Sequence, residues 1–336
     1  MSKILVTGGA GYIGSFMVRE LASKGFDVII LDNLSCGHRE AIKDFRLEEI
    51  DLVSQKDKLD TLLSSEKFDG VIHMASFIQM GESFIDPQKY YQNNVVGFIN
   101  LLDSMKKAGT NKIILSSSAG VYGNPVKVPI LEDDPKNPLN PYGETKYIME
   151  RMLEDYDAAY GMKFISLRYF NAAGAALDGS IGEAHPEESH LIPNIIKKAL
   201  KGEEIEIFGN DYQTPDGTNV RDYIHVLDLV ETHSIAMQKL LGGSNSNFFA
   251  QSGIYNVGIG QGYSNKEVID MVKNVTGLNL NIKYSGRRAG DADALYASID
   301  KIKRDFDWSP KYGLKEIIES SYAWHKTHPN GYANMD

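Results

Sequence analysis

Near its start the chain reads Ile4-Leu5-Val6-Thr7 and then, with no linker, Gly8-Gly9-Ala10-Gly11-Tyr12-Ile13-Gly14. A β-rich run that empties into glycines and then into a helical stretch is the opening of a βα unit, and that context lifts a glycine pattern above chance. The glycines can be taken as Gly8-x-x-Gly11-x-x-Gly14 or as Gly9-x-Gly11-x-x-Gly14. Under either spacing the missing side chains let backbone N–H groups and the helix N-terminus approach a pyrophosphate. The competing explanation is a glycine turn that only tightens strand–helix packing.

The alternation continues downstream. β-rich runs at 4–7, 27–31, 70–74, 112–116 and 163–167 are separated by longer helical segments, the pattern of a doubly wound parallel sheet with helices on both faces. The helix between the third and fourth runs is expected to start after Pro87 and end near Gly109. After about residue 171 the elements shorten. Asp216-Gly217 marks a turn, Gly-, Ser- and Asn-rich loops fall at 242–247 and 258–264, and Ser264-Asn265-Lys266-Glu267 reads as a capping box opening a helix toward Val275. The expected organisation is an α/β chain with a dinucleotide-type domain over 1–170 and a smaller C-terminal α/β lobe over 171–336, later segments being able to rejoin the first sheet.

Asp32 closes the second run, 18 residues beyond Gly14, close to the ~20 at which an acidic residue meets the adenosine ribose of a bound dinucleotide. Its carboxylate accepts a hydrogen bond from a 2′-hydroxyl and repels a 2′-phosphate, so NAD is expected in preference to NADP. Arg39 is the neighbouring residue able to soften that choice.

Charge and cysteine content remove other classes. With 45 acidic against 35 basic residues the 336-residue chain carries a net charge of −10, and no Lys/Arg block would track a phosphate backbone; nucleic acid is not an expected partner. A single cysteine, Cys36, rules out an intramolecular disulfide and a cysteine metal cluster, and no metal is expected. The opening MSKILVTGG leaves no room for a secretory signal, and no apolar run approaches the ~20 residues of a membrane span. A soluble, cytoplasmic protein is expected.

Tyr142 and Lys146, in the stretch Asn140-Pro141-Tyr142-Gly143-Glu144-Thr145-Lys146, stand four residues apart on an expected helix and so share a face. The spacing alone is a weak signal, since it recurs at Tyr322 and Lys326. Context separates the two pairs. Ser116-Ser117-Ser118 ends a β-rich run upstream of the first pair, where open α/β sheets place their ligands. A lysine ammonium and an oxidised nicotinamide each favour tyrosinate over tyrosine. Lowering a phenol by ~3 pKa units takes about 4 kcal/mol, within reach of two close cations in a dry site. Tyr142 then serves as a base near neutral pH, with Ser118 bonded to the same substrate oxygen. The bland readings are a surface tyrosine and a serine turn.

These residues resemble the extended short-chain dehydrogenase/reductase superfamily and, within it, the UDP-glucose (UDP-galactose) 4-epimerases. The segments VTGGAGYIGS, LDNLS, VIHMAS, SSSAGVYG, PYGETK, LRYFNAAGA, SHLIP, IFGNDYQTPDGTNVRDYIHV and RRAGD occur in order over nearly the whole chain. The resemblance implies a Rossmann domain holding NAD and a C-terminal lobe holding the sugar nucleotide. It assigns Gly8, Gly11, Tyr12, Ile13 and Gly14 to the pyrophosphate loop, Asp32 and Asn33 to the adenosine ribose, and Asp51 and Leu52 to the adenine. Met74, Ala75, Ser76, Asn93 and Phe170 lie along the cofactor, and Lys146 also holds the nicotinamide ribose. Ser118, Tyr142, Asn171, His190, Arg221, Arg288 and Asp291 go to the sugar nucleotide, with Phe208 near the uracil. Arginines suit a diphosphate because they offer paired donors; Arg221, next to Asp222, could equally form an ordinary surface ion pair.

Three positions depart from the family pattern. Phe77-Ile78-Gln79 stands where some members carry a lysine, His190 where others carry asparagine, and Leu295 where a larger residue tends to gate the sugar pocket. The last implies room for an N-acetyl group. The implied activity is inversion at sugar carbon 4 through a transient ketone, in a homodimer paired through helices near 87–109 and 141–160. Alternatives are a hexuronate or N-acetylhexosamine 4-epimerase, a sugar-nucleotide dehydratase or dehydrogenase, and a non-catalytic NAD sensor. Ala119-Gly120 after Ser118 leaves no acid to expel water as a dehydratase requires.

Overall fold

The computed structural model describes residues 1–185, 188–242, 251–287 and 291–333. Six strands follow in chain order: β1 (Lys3–Thr7), β2 (Asp27–Asp32), β3 (Arg46–Glu49), β4 (Gly70–His73), β5 (Lys112–Ser118) and β6 (Lys163–Tyr169). With Gly253–Val257 they form a seven-stranded sheet in the order Gly253–Val257, β6, β5, β4, β1, β2, β3. β1 pairs in parallel with β2 and β4, β2 with β3, and β4 with β5. The chain runs from β1 outward to β3 and then returns to β4 on the other side of β1. The order therefore reverses between β1 and β4, and at such a point a crevice opens beyond the carboxyl ends of the strands. This is the doubly wound, Rossmann-type sheet expected from the alternation of runs.

Leu5, Ile29, Leu31, Val71, Ile113 and Leu115 enter one core with Leu59, Leu63, Phe98, Leu101, Met149 and Leu153 of the flanking helices. The intervening Ile4, Val6, Ile30, Ile72 and Ile114 are fully buried too. Both faces of the sheet are covered, which is why its strands read as unbroken apolar runs. Each such side chain contributes roughly 1.5–3 kcal/mol by leaving water. β3, Arg-Leu-Glu-Glu, has no apolar run to announce it; it lies at the sheet edge with Arg46 and Glu49 exposed.

The helical stretch expected between Pro87 and Gly109 forms, but not as one regular helix. Pro87–Tyr90 passes into a π-helical turn, Tyr91–Val96, before Gly97–Ala108, and Gly109 closes it at φ +77. The wide turn points Asn94 inward, where its side chain bonds Phe77 N (2.9 Å), Phe77 O (3.1 Å) and Thr145 Oγ1 (3.0 Å). Single π turns of this kind often mark functional sites.

The chain divides into two compact units, Met1–Gly123 with Lys136–Arg168 and Val230–Tyr255, and Asn124–Pro135 with Tyr169–Leu229 and Asn256–Asp336. Gly253–Val257 returns to the edge of the first sheet. Residues 124–135, early in the sequence, count with the second unit because Ile130 bridges Ala297 and bonds Tyr296 O (2.9 Å), while Glu132 accepts from Asn256 N (3.0 Å). That unit packs the helices Leu191–Lys201, Asn265–Thr276 and Leu314–Thr327 around Ile205, Ile207 and Tyr223. The capping box at Ser264 and Glu267 is present, and Gly217 turns at φ +78. Of the expected loop at 258–264, Tyr263–Ser264 instead forms a short antiparallel strand against Val220–Arg221; most of the loop at 242–247 lies outside the described residues. Among the described residues no helix is long and apolar enough to cross a membrane.

Candidate active site

β1 ends at Thr7, and the chain turns at Gly8 with φ +72. A Cβ at Gly8 would stand 2.6 Å from Ala75 N, one at Gly9 2.8 Å from the Ile30 side chain, and one at Gly14 2.0 Å from Gly8 O. The two spacings of the glycine pattern are thus not rivals, because Gly8 and Gly9 are each required by a different neighbour. The helix Tyr12–Ser23 starts at Gly11 with no side-chain cap and no acidic residue in its first turn, so its N-terminal dipole faces outward for an anion.

Gly8, Gly11, Asp32, Asn33, Asp51 and Leu52 line one pocket with Met74, Ala75, Ser76 and Asn93, and Leu31, Ser35, Cys36, Gly37, Ile50 and Phe77 complete it. Tyr12, Ile13 and Gly14 form the first turn of the helix behind the loop and do not line it. Asp32 is buried, its carboxylate accepting from Ala10 N (2.9 Å) and Leu34 N (2.8 Å). Burial pushes its pKa up and the two amides draw it back. Asn33 Nδ2 donates to Asp51 Oδ2 at 2.7 Å. Arg39, the neighbouring cation that could welcome a 2′-phosphate, is tied to Glu49 at 2.7 Å. Cys36, Gly37 and Phe77 carry no motif signal; Gly37 is needed because a Cβ there would stand 2.7 Å from Ala10 Cβ. Glycine cradle, uncapped helix start and buried acid together fit a dinucleotide with a free 2′-hydroxyl.

The helix Pro141–Tyr160 is opened by Asn140, whose side chain accepts from Gly143 N at 2.8 Å, and by a proline in its first turn. Gly143 lets it close on the end of β5, since a Cβ there would stand 2.6 Å from Gly120 O. Tyr142 and Lys146 are both buried. Ser118 accepts from Gly120 N at 3.0 Å and is hydrogen-bonded to Tyr142. Lys146 Nζ donates to Ser76 Oγ and to Ser116 O, each at 2.8 Å. The pair at Tyr322 and Lys326 differs: Lys326 is exposed and lies over the Tyr322 ring at 5.5 Å.

On the expected reading two cations, the Lys146 ammonium and an oxidised nicotinamide, act on the Tyr142 phenol. In the folded chain burial pushes Lys146 from 10.5 down to about 7, with Glu150 working against it. Burial pushes Tyr142 up, with Ser118 drawing it back. Burial thus opposes both charged forms, and acidifying the phenol calls on the positive charges placed beside it.

In the second unit Asn171 Nδ2 donates to Asp222 O at 2.9 Å. Arg221 does not pair with Asp222 on the surface. Its guanidinium donates to Val220 O (2.8 Å) and Ala292 O (2.9 Å) and reaches Asp291 at 3.4 Å. Asp222 is fully buried, accepts from the backbone of Ile259, Gly260 and Ala297, and is pushed up to about 7 by burial. Tyr212 also reaches Asp291 (3.4 Å), and Arg287 lies 4.2 Å over the Tyr212 ring. Neither Tyr212 nor Arg287 was marked by the family pattern, although YQTPDGT and RRAGD contain them. Phe208 ends the strand Glu204–Phe208 opposite Ser285, and Leu295 pairs with Arg221. His190 Nδ1 sits 2.5 Å from Glu183; burial works to lower it, but Glu183 and Glu188 raise it. Phe170 is half-buried just past β6, and Arg288 lies outside the described residues.

Residues 4–258 match the model of the NAD dependent epimerase/dehydratase family. The chain belongs to that family. It is 46% identical to the UDP-glucose 4-epimerase of Lactobacillus helveticus over 338 residues, covering 98% of this chain and 99% of the relative. Its structure matches that of UDP-glucose 4-epimerase from Brucella ovis in complex with NAD, with a TM-score of 0.91 and 40% identity over 96% of this chain and 98% of that one. The Bifidobacterium longum enzyme in complex with NAD+ and UDP matches with a TM-score of 0.91 and 35% identity, over 98% and 100%.

Proposed function

We propose that the chain is an NAD-dependent 4-epimerase that interconverts UDP-glucose and UDP-galactose through a transient 4-keto sugar, and that it also accepts the N-acetylated pair. The observation that carries this reading is the bond from Lys146 Nζ to Ser76 Oγ at 2.8 Å. Ser76 lines the dinucleotide pocket, so the bond ties the acid–base helix directly to the cofactor's bed. The full-length identity to curated UDP-glucose 4-epimerases supports the same conclusion.

NAD would supply the hydride acceptor and donor for carbon 4. Gly8, Gly11 and the start of the helix at Tyr12, Ile13 and Gly14 would hold its pyrophosphate, Asp32 and Asn33 its ribose, and Asp51 and Leu52 its adenine. Met74, Ala75, Ser76, Asn93 and Phe170 would flank it, and Lys146 would bind the second ribose. Tyr142 removes the carbon-4 hydroxyl proton and later gives it back, while Ser118 bonds the same oxygen. Arg221 and Arg288 grip the diphosphate, with Asn171, His190, Phe208 and Asp291 around the nucleotide. A grip remote from the reacting carbon leaves the sugar able to present two faces. Leu295, smaller than a tyrosine, supports entry of an N-acetyl group. Ala119-Gly120 forms the start of a short helical turn after Ser118, a place where a dehydratase needs acids.

The working form is a homodimer in the cytoplasm; its assembly is supported by the exposed apolar residues Phe84, Ile85, Tyr91, Val96 and Ile99 along the segment 80–108. The function is tested by incubating the purified chain with UDP-galactose and, separately, with UDP-N-acetylgalactosamine and resolving the products. Conversion to the glucose epimer with no build-up of NADH is expected. A 4-keto-6-deoxy product, or one NADH released per sugar, would overturn it.

A further inference from the structure

The three serines that close β5 each meet the helix Pro141–Tyr160 at a different turn. Ser118 bonds Tyr142, the carbonyl of Ser116 accepts from Lys146 Nζ at 2.8 Å, and Ser117 Oγ donates to Glu150 Oε1 at 2.6 Å. Positions 142, 146 and 150 are i, i+4 and i+8, so they form one stripe on the helix. The proposed mechanism uses the first two and leaves the third without a task.

Glu150 is 1% exposed. Besides Ser117 it accepts from Ser166 Oγ (3.0 Å), Arg168 Nε (2.9 Å) and Arg168 Nη2 (2.6 Å), and Arg168 Nη1 donates to Tyr122 OH (2.8 Å). As a staple between strands and helix this arrangement is a poor choice. Desolvating two charges costs nearly all that their attraction returns, and apolar residues of the same size often hold a fold as well or better. A charge pair kept one turn behind the lysine of the active site therefore calls for an electrostatic role.

Resting on the 4-epimerase reading, we propose that Glu150 is a positioning residue for the reaction: clamped by Arg168, Ser117 and Ser166, its carboxylate holds the positive charge of Lys146 in place inside a dry site. Burial pushes Lys146 down to about 7, and Glu150 is the group that works in the other direction. Among the described residues the other ionisable groups on neighbouring elements are engaged elsewhere or shifted by burial, His233 being bonded to Ser116 Oγ at 2.8 Å. His73 on β4 is buried and pushed down to about 3, by burial and by Lys146 itself. Tyr142 is pushed up by burial. Glu82 and Lys89, on segments packed against the same helix, are closed on each other at 2.6 Å. Arg168 is engaged by Glu150 and Tyr122.

The test follows kcat and KM for UDP-galactose with the NAD-loaded chain from about pH 6 to about pH 10. Glu150→Gln combined with Arg168→Met removes both charges without stranding either one. The alkaline limb of kcat is expected to move down by about one pH unit, a tenfold loss on that side, with KM unchanged. Glu150→Asp, which keeps the carboxylate, should keep the limb where the parent has it. Should the double variant fail to fold, Arg168→Lys decides, because a single ammonium neutralises Glu150 less completely and should move the limb upward by a few tenths of a unit. An epimerising parent with an unmoved limb in the NAD-binding variant that decides overturns this inference alone. A parent that does not epimerise overturns the functional reading instead.

Discussion

At the scale of single residues, the acid–base chemistry rests on the buried Tyr142 phenol beside Ser118. Tyr142→Phe keeps the ring and removes the acidic proton. It should lower kcat by roughly 10²–10⁴ while equilibrium dialysis still finds NAD bound; undiminished turnover would take Tyr142 out of its role. Spacing and context single out Ser118, Tyr142 and Lys146 in the sequence, but their proton affinities depend on burial, which no spacing reveals. Arg221 shows the same limit. Adjacency to Asp222 invites an ion pair, but the backbone turns Asp222 inward to hold Ile259, Gly260 and Ala297 and leaves Arg221 to Asp291. Asp32→Ala should narrow the preference for NAD over NADP, read as the ratio of the two dissociation constants. Arg39 is held by Glu49, so substituting Arg39 should change that ratio far less.

At the scale of elements, glycines separate into those that answer to a neighbour and those that answer only to a dihedral angle. Gly161 ends its helix at φ +68, and a Cβ placed there would meet nothing within 4 Å, whereas Gly8 at φ +72 is walled by the Ala75 backbone. Gly161→Ala should therefore cost about 1–2 kcal/mol of stability in a urea titration, with NAD affinity intact. Gly8→Ala should also lose NAD affinity by at least about tenfold, since the loop must shift away from the phosphate path. In the loop before Leu191, burial works to lower His185, but Glu183 and Glu188 raise it to about 10. Its folded pKa lies above the ordinary 6.5, so the stability it adds is complete below 6.5 and is lost as pH rises toward 10. The stability gap between the parent and His185→Gln should accordingly shrink between those limits; a gap that widened with pH would contradict the assignment. The capping box at Ser264 was visible in sequence because caps are local. The π turn at Tyr91–Val96 was not, because it exists to point Asn94 at Phe77 and Thr145, partners distant along the chain.

At the scale of the whole molecule, the parallel sheet was legible because its strands are buried on both faces, and its edges were not. β3 is too polar to announce itself, and Gly253–Val257 joins the opposite edge from far along the chain. Residues 124–135 leave the first unit through pairing with Tyr296, Ala297 and Ser298, contacts that no local pattern encodes. The apolar residues Val96 and Ile99, about two-fifths exposed, make the homodimer testable: Val96→Glu with Ile99→Glu should convert a dimer to a monomer in light scattering, and a monomeric parent would refute the assembly. The most direct test of the mechanism uses UDP-galactose labelled with deuterium at carbon 4. If hydride leaves that carbon and returns to it within one bound cycle, the UDP-glucose formed keeps the label at carbon 4 and no reduced cofactor appears in solution. Label lost to water, or found on released NADH, would contradict it.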